Sequence, residues 1–490
     1  MKNRIKIAIS TLFLIASVFL SVGYSSLFIS EERPFPLPGP TIPAIPAFPG
    51  AEGFGAKTRG AYALPNQRPV VLKVTNLNDS GNGSLRWALE YDGPRVVVFN
   101  TGGTIKLNQE ISVEHPYLTI AGQTAPGGGI CIKGAPIRIK SHNIIVRGLR
   151  VRNGNLRTST DFQNGDGLSI EASGGYTCPN GEPNNIIIDH CSITWGSDEN
   201  GQVWYAAHDI TWQWNIIAES IWSPAYPEIT GYGLLIGSRV HNISIHHNLF
   251  AHNKARNPEC NADTKGEIVN NVVYNWSNKG TDFIGSPKES PNSGFYDFQP
   301  SYWNLVGNYY KKKGTEGNPK PLLLFNYPGW NKEYYIHENS KFYLEGNANV
   351  ANSSRDWDIV SFEGGGNGSS YKSESPVIGL SGIKAGPADS IYSPVLNNVG
   401  ARLPIVDSVD ARIIADVQNG TGEIRSSVSD GDYPVLESGS APVDSDDDGL
   451  PDSFELSQGG SVIGIDPNEN APSGYSWIEE YVNSLIPAVN

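Results

Sequence analysis

Two sets of acidic side chains in this sequence have the type and spacing to hold a cation. In the tail, Asp444, Asp446 and Asp448 alternate along the chain, Gly449 follows, and Asp452 and Glu455 complete a twelve-residue loop of the EF-hand kind. The glycine stands at the sharp turn and the glutamate at the last position. All five donors are carboxylates, the hard oxygen ligands that Ca²⁺ takes, so this loop is expected to bind calcium and to fold the tail; a solvated acidic linker is the plain alternative. The second set is dispersed: Asp166 in Gly-Asp-Gly-Leu-Ser-Ile, and Asp198 with Glu199 in Trp-Gly-Ser-Asp-Glu-Asn. These acids meet only if their segments stack as neighbouring strands, about 4.8 Å apart. Stacked on an external sheet they repel one another unless a cation lies between them, which again suggests calcium; solvated loop acids are the alternative.

A weak internal repeat supplies the stacking. An apolar residue, two variable positions, a small residue, one more position and an apolar residue recur as Ile188-Asp-His-Cys191-Ser-Ile193, Trp212-Gln-Trp-Asn215-Ile-Ile217 and Ile245-His-His-Asn248-Leu-Phe250. Asn271, Asn308 and Asn347 hold the same place in later copies, and Ile120-Ala-Gly-Gln123 and Val146-Arg-Gly-Leu149 in earlier ones. The spacing, roughly two dozen residues or that plus an insertion, is a solenoid period. If each copy turns a corner between short strands, asparagine suits the left-handed backbone there, and its amide can bond the asparagines of the rungs above and below. The expected fold is an all-β parallel β-helix. The 54 Gly, 34 Pro, 22 Tyr and 11 Trp agree with many short strands and tight turns. Ser408 to Gln418 and Ser476 to Ile486 depart from the repeat and predict two amphipathic helices packed on the solenoid.

The chain of 490 residues carries 36 basic and 50 acidic side chains, a net charge of −14, which argues against a nucleic-acid partner. Ten of those acids lie in residues 441–490, which contain no Lys or Arg, so the first 440 residues are close to neutral with 36 basic and 40 acidic groups. Lys2, Arg4 and Lys6 precede an apolar run from Ile7 to Val22, read as a signal peptide or a membrane anchor over residues 1–28; either places the folded part outside the cytoplasm. Residues 29–48 form a proline-rich linker, 49–405 the β-helix, 406–440 a helix and connector, and 441–490 the calcium tail. Cys131, Cys178, Cys191 and Cys260 make at most one or two staples.

Several blocks resemble pectate lyases of polysaccharide lyase family 1: FPGAEGFGAKTRGA from Phe48, VTNLNDSGNGSLRWAL from Val74, TIAGQTAPGGGI from Thr119, NNIIIDHCSITWGSDEN from Asn184 and HHNLFAHNKARNP from His246. The resemblance spans about residues 48 to 420. It implies a right-handed parallel β-helix that cleaves polygalacturonate by β-elimination, using Ca²⁺ and a catalytic arginine. By that match Asp166 and Glu199 correspond to metal ligands with Asp198 beside them, and Arg256 in Ala-Arg-Asn-Pro to the catalytic arginine. Elimination from a uronate must acidify the proton beside the carboxylate, stabilise the enediolate and remove the proton; a divalent cation serves the first two needs. Arginine is nearly always protonated, so its use as a base is chemically demanding, and binding of the substrate carboxylate is the rival role for Arg256. Asp189 and His190 are read as structural.

Two departures touch substrate contact. Tyr232 stands where the family strand carries a lysine, and Glu259 and Asn261 where basic residues are common. Tyr232 and Lys254 are therefore expected to meet the substrate, with Lys265 or Arg239 as further compensating cations. Trp204, Tyr205, Trp212 and Trp214 either stack on sugars or pack against neighbouring strands. The leading reading is a secreted, monomeric, calcium-dependent pectate lyase acting on an acidic polysaccharide. A β-helix hydrolase of the polygalacturonase type and a non-catalytic acidic-glycan binder are the alternatives.

Overall fold

A computed structural model describes residues 45–154, 165–225, 230–277, 279–286, 298–313, 321–328, 333–351, 353–364, 368–486 and 488–489. The expected signal or anchor and nearly all of the linker lie outside the described residues. No described helix is long and apolar enough to cross a membrane.

From Ile45 onward the chain is a right-handed parallel β-helix whose three long sheets contain 11, 9 and 10 strands among the described residues. Each rung contributes one short strand to each sheet in turn: Asn184–Asp189 to the first, Ser192–Thr194 to the third and Glu199–Val203 to the second. The next rung repeats the order with His208–Gln213, Ile216–Ala218 and Tyr232–Ile236, and it pairs in parallel with the one before. Side chains alternate along every strand, and the inward set forms one continuous apolar core. Ile186, Ile188, Ile193, Val203, Ile210, Trp212, Leu234 and Ile236 are fully buried in it. Trp212 therefore belongs to the core and has no access to a sugar.

The asparagine ladder is present. The amides of Asn215, Asn248, Asn271 and Asn308 each donate to the side-chain oxygen of the next rung's asparagine at 2.9 to 3.0 Å, ending at Asn347. One expectation about it is corrected. The left-handed residue at each corner is the one before the ladder position: His190, Trp214, His247 and Asn270 have φ between 47° and 54°, and glycines 307 and 346 follow the same pattern. The corner needs the asparagine for its amide, which bonds a backbone carbonyl of the rung behind and the next side chain. The residue before it absorbs the backbone turn.

Five α-helices lie among the described residues: α1 (Leu85–Leu89), α2 (Ala388–Asn398), α3 (Ser408–Asn419), α4 (Asp452–Ser457) and α5 (Trp477–Leu485). α3 and α5 fall where the periodicity predicts them. α3 is capped by Asp407 and stopped at Gly420, and α5 begins with a capping box of Ser476 and Glu479. α2 escapes the sequence reading because Pro394 lies inside it. α2 and α3 pack on the third sheet through Ile391, Val395, Val409, Ile413 and Val417, while Leu450, Ile478 and Val482 of the tail cover Val96 and Val98 of the first sheet. Neither apolar cluster includes a residue of the second sheet. Ala47 and Phe48 already pack against Ile145 and Ile187, so the body starts inside the segment read as linker. No disulfide joins Cys131, Cys178, Cys191 and Cys260, so none of the allowed staples forms.

Candidate active site

The second sheet gathers the dispersed acids. Asp166 precedes the strand Leu168–Ile170, and Asp198 and Glu199 open the neighbouring strand Glu199–Val203, whose Gly201 to Val203 pair with Leu168 to Ile170. Stacking brings oxygens of Asp166, Asp198 and Glu199 all within 4.8 Å of one another. Asp166 and Glu199 are 1% and 2% exposed, so water does little to screen their repulsion. Burial, reinforced by the charge of Asp166, pushes Asp198 up to about 7. Burial and mutual repulsion also hold Asp166 and Glu199 well above the usual carboxylate range.

Arg256 arrives from two rungs beyond Glu199. Tyr232 is in register with Glu199 and bridges to Ala255, which places the arginine over the tyrosine ring at 3.9 Å. Its Nη1 contacts Glu199, and its Nε lies 3.3 Å from Glu259. Burial alone would lower the guanidinium's proton affinity, but Glu259 and Glu199 raise it well above the ordinary arginine range.

A second asparagine ladder, absent from the sequence reading, lies next to these residues in the chain. Asn200 follows Glu199 and Asn257 follows Arg256; Asn200 donates to Asn253, and Asn253 donates to Asn257, both at 3.0 Å. The ladder ties the segment carrying the acids to the segment carrying the arginine. Its sequence signal was the asparagine immediately after each functional residue. Gly233 completes the support, because a β-carbon there would come within 2.4 Å of the Arg256 carbonyl oxygen. Arg256 itself has φ 61°, a left-handed conformation uncommon outside glycine and sustained here by its surroundings.

Other polar groups orient Asp166. Gln202 donates to its Oδ2 at 2.6 Å and accepts from the Trp204 indole at 2.7 Å, and Arg138 lies 3.7 Å away. Neither Gln202 nor Arg138 stood out in the sequence, because both contacts cross between rungs.

Comparison with known proteins decides the family. No family model matches the chain. Two fungal proteins named "Probable pectate lyase C" align along nearly its whole length: that of Aspergillus fumigatus is 33% identical over 464 residues, 91% of this chain and 95% of its own, and that of Neosartorya fischeri is 34% identical over 462 residues. The chain belongs to the pectate lyase family. It is accordingly a polysaccharide lyase. The crystal structure of jun a 1, the major allergen from cedar pollen, shares the fold with a TM-score of 0.51 at 16% identity, covering 73% of this chain and 93% of its own.

Within this pectate lyase framework the remaining expectations divide. Lys254 is beside the site, 5.6 Å above the Tyr232 ring, but it is only 8% exposed. Lys265 belongs to the first sheet and lies near Tyr302, and Arg239 pairs with Glu182, so neither joins the group around Arg256. Trp214 stacks between His190 and His247, whereas Trp204 and Tyr205 stay half-buried beside Gln202. Asp189 accepts from Arg147, Gln213 and His190 within 2.8 Å; burial would raise it, yet His190 and Arg147 hold it well below the usual carboxylate range.

In the tail loop, Asp444, Asp446 and Asp448 converge within 4.8 Å. Asp452 instead accepts from Ser445, and Glu455 accepts from the amides of Gly464 and Ile465 through Oε1. The Glu455 Oε2 atom is buried with no partner. Lys73 reaches into the loop and donates to Asp444 and Asp447.

Proposed function

We propose that the protein is a secreted, calcium-dependent pectate lyase that cleaves 1,4-linked polygalacturonate by β-elimination. The observation that carries this reading is the meeting of three crowded carboxylates with Arg256 on the second sheet, which the apolar clusters under α2, α3 and α5 do not include. The acids suit a calcium ion: every donor is a carboxylate oxygen, two are almost wholly buried, and all three are displaced toward protonation in the absence of a cation. Asp166, Asp198 and Glu199 would hold it. When bound, the ion supplies Lewis-acid polarisation of the substrate carboxylate.

The chain's own residues do the rest. Gln202 and Arg138 orient Asp166, and Tyr232 supports the guanidinium from below. Arg256 faces the carbon beside the substrate carboxylate and, as the base, takes that proton in its neutral form, which burial and a cation held by the three acids would favour over the guanidinium. The paired bond to the glycosidic oxygen at the next carbon then breaks, leaving an unsaturated end. The tail loop of Asp444, Asp446, Asp448, Asp452 and Glu455 takes a second calcium with a structural role, once Asp452 and Glu455 leave their present partners.

Incubation with polygalacturonate and calcium should raise the absorbance of unsaturated product, and EDTA should abolish it. Saturated reducing ends insensitive to EDTA would instead indicate hydrolysis. A second reading has a specific observation in its favour: Glu259 and Glu199 hold Arg256 firmly protonated, as suits a clamp on the substrate carboxylate. A rate that climbs with pH, with the climb moved to lower pH in Arg256→Lys, supports the base; a profile unmoved by that substitution supports the clamp.

A further inference from the structure

Two charged residues beside Arg256 have no place in the mechanism so far. Glu259 stands three positions after the arginine, where the family pattern is commonly basic, and Lys279 comes from the following rung. Glu259 lies on the strand Glu259–Cys260, in register with Leu235 on one side and Asp282 on the other. Cys260 and Phe283, adjacent in those strands, face the core, so the two-residue period turns Glu259 and Asp282 outward, on the face that carries Arg256.

Glu259 is 5% exposed and has a cation on each oxygen. Its Oε1 is 3.3 Å from Arg256 Nε, and its Oε2 is 3.3 Å from the Lys279 ammonium, which also donates to Asp282 at 2.7 Å. Acidic and basic side chains therefore alternate along the sheet in the order Glu199, Arg256, Glu259, Lys279, Asp282. A basic residue at 259 would sit between two cations, so the departure from the family pattern and the presence of Lys279 belong together.

We infer that Glu259 is a positioning residue for Arg256, and that Lys279 holds Glu259 in that role. The guanidinium has three supports: Glu199 at Nη1, the Tyr232 ring beneath its plane and Glu259 at Nε. The first belongs to the proposed metal site and is shared with it. Glu259 is the charged support that stays with the arginine whatever Glu199 does, and it limits the rotamers of a long, flexible side chain. Lys279 in turn keeps a buried carboxylate from depending on a single partner. The inference rests on the reading of Arg256 as the group that faces the reacting carbon.

Kinetics of the full chain on polygalacturonate with saturating calcium test it. Glu259→Gln keeps the shape and removes the charge, and should lower kcat roughly tenfold or more with KM changed less than about twofold. Lys279→Met should give a smaller loss on the same axis, Lys279→Arg should recover it, and the double variant should match Glu259→Gln alone because Lys279 acts through Glu259. Losses that multiply in the double variant, or a raised KM with kcat kept, would overturn the assignment. The ¹⁵N relaxation order parameter of Arg256 Nε, assigned by its disappearance from the NMR spectrum in Arg256→Lys, should be high in the wild type and lower in Glu259→Gln, because the ion pair restricts the side chain; equal values in both overturn the inference. If Glu259→Gln does not fold, the same measurement in Lys279→Met decides, with a lower order parameter than wild type expected and an unchanged one overturning it. A rigid Arg256 side chain in a wild-type protein with no turnover on any uronate polymer would remove the proposed function and leave the positioning role standing.

Discussion

Among the described residues, two clusters of three carboxylates are built in opposite ways. Asp444, Asp446 and Asp448 are neighbours in the chain, so a short turn brings them together wherever the tail lies. Asp166 comes from one rung and Asp198 with Glu199 from the next, and they meet only because the second sheet stacks them. Lys73 and solvent screen the tail cluster; burial leaves the groove cluster with its repulsion almost intact and Arg256 against one member. A local cluster can organise a metal loop at small cost to the rest of the fold. A cluster assembled by the solenoid carries a charge repulsion that the whole β-helix must hold.

The largest contrast should appear in activity. Asp166→Asn, Glu199→Gln or Arg256→Ala should each cost about a thousandfold or more in kcat on polygalacturonate with the circular dichroism spectrum retained, while Asp444→Asn with Asp448→Asn should leave kcat unchanged. Turnover surviving in the groove variants, or lost in the tail variant, would erase the distinction.

Next in size is a buried acid of the first sheet, Asp189, whose cations are all supplied by the protein. Asp189→Asn strands Arg147 and should lower unfolding stability by about 3 kcal/mol at neutral pH in denaturant titrations. Because the folded Asp189 is held below its ordinary value, its contribution is present above about pH 4 and is lost as the pH falls through the folded value. The gap between wild type and variant should therefore close in acid; a gap that widens would contradict the pairing.

The two asparagine ladders offer a finer comparison. Asn271→Ala and Asn253→Ala should each cost about 1–3 kcal/mol by leaving buried backbone groups unpaired, but only Asn253→Ala should also reduce kcat, since its ladder joins the segments of Glu199 and Arg256. The smallest effect belongs to the tail. Calorimetric titration should count two calcium ions in the wild type and one in the Asp444→Asn, Asp448→Asn variant, with a modest fall in melting temperature confined to calcium-containing buffer.

The repeat period, the asparagine ladder, both accessory helices and the clustering of Asp444, Asp446 and Asp448 were legible because each is a local or periodic pattern, and periodicity translates directly into which side chains face inward. The motif blocks likewise carried the groove acids and Arg256. What the linear chain could not carry were contacts between rungs: Gln202 and Arg138 on Asp166, the ladder of Asn200, Asn253 and Asn257, and the chain of charges through Glu259 and Lys279. The same limit explains the misplaced corner conformation, since the residue that turns and the residue that bonds are adjacent and only the backbone separates their tasks. It also explains Trp212 and the cysteines that form no disulfide, whose surroundings depend on which rung lies above and below. Sequence by itself determined the solenoid and the kinds of group available for chemistry. Tertiary structure decided which of them touch, because neighbours in a β-helix are a rung apart, and the length of each rung is set by loops whose spans no local pattern fixes.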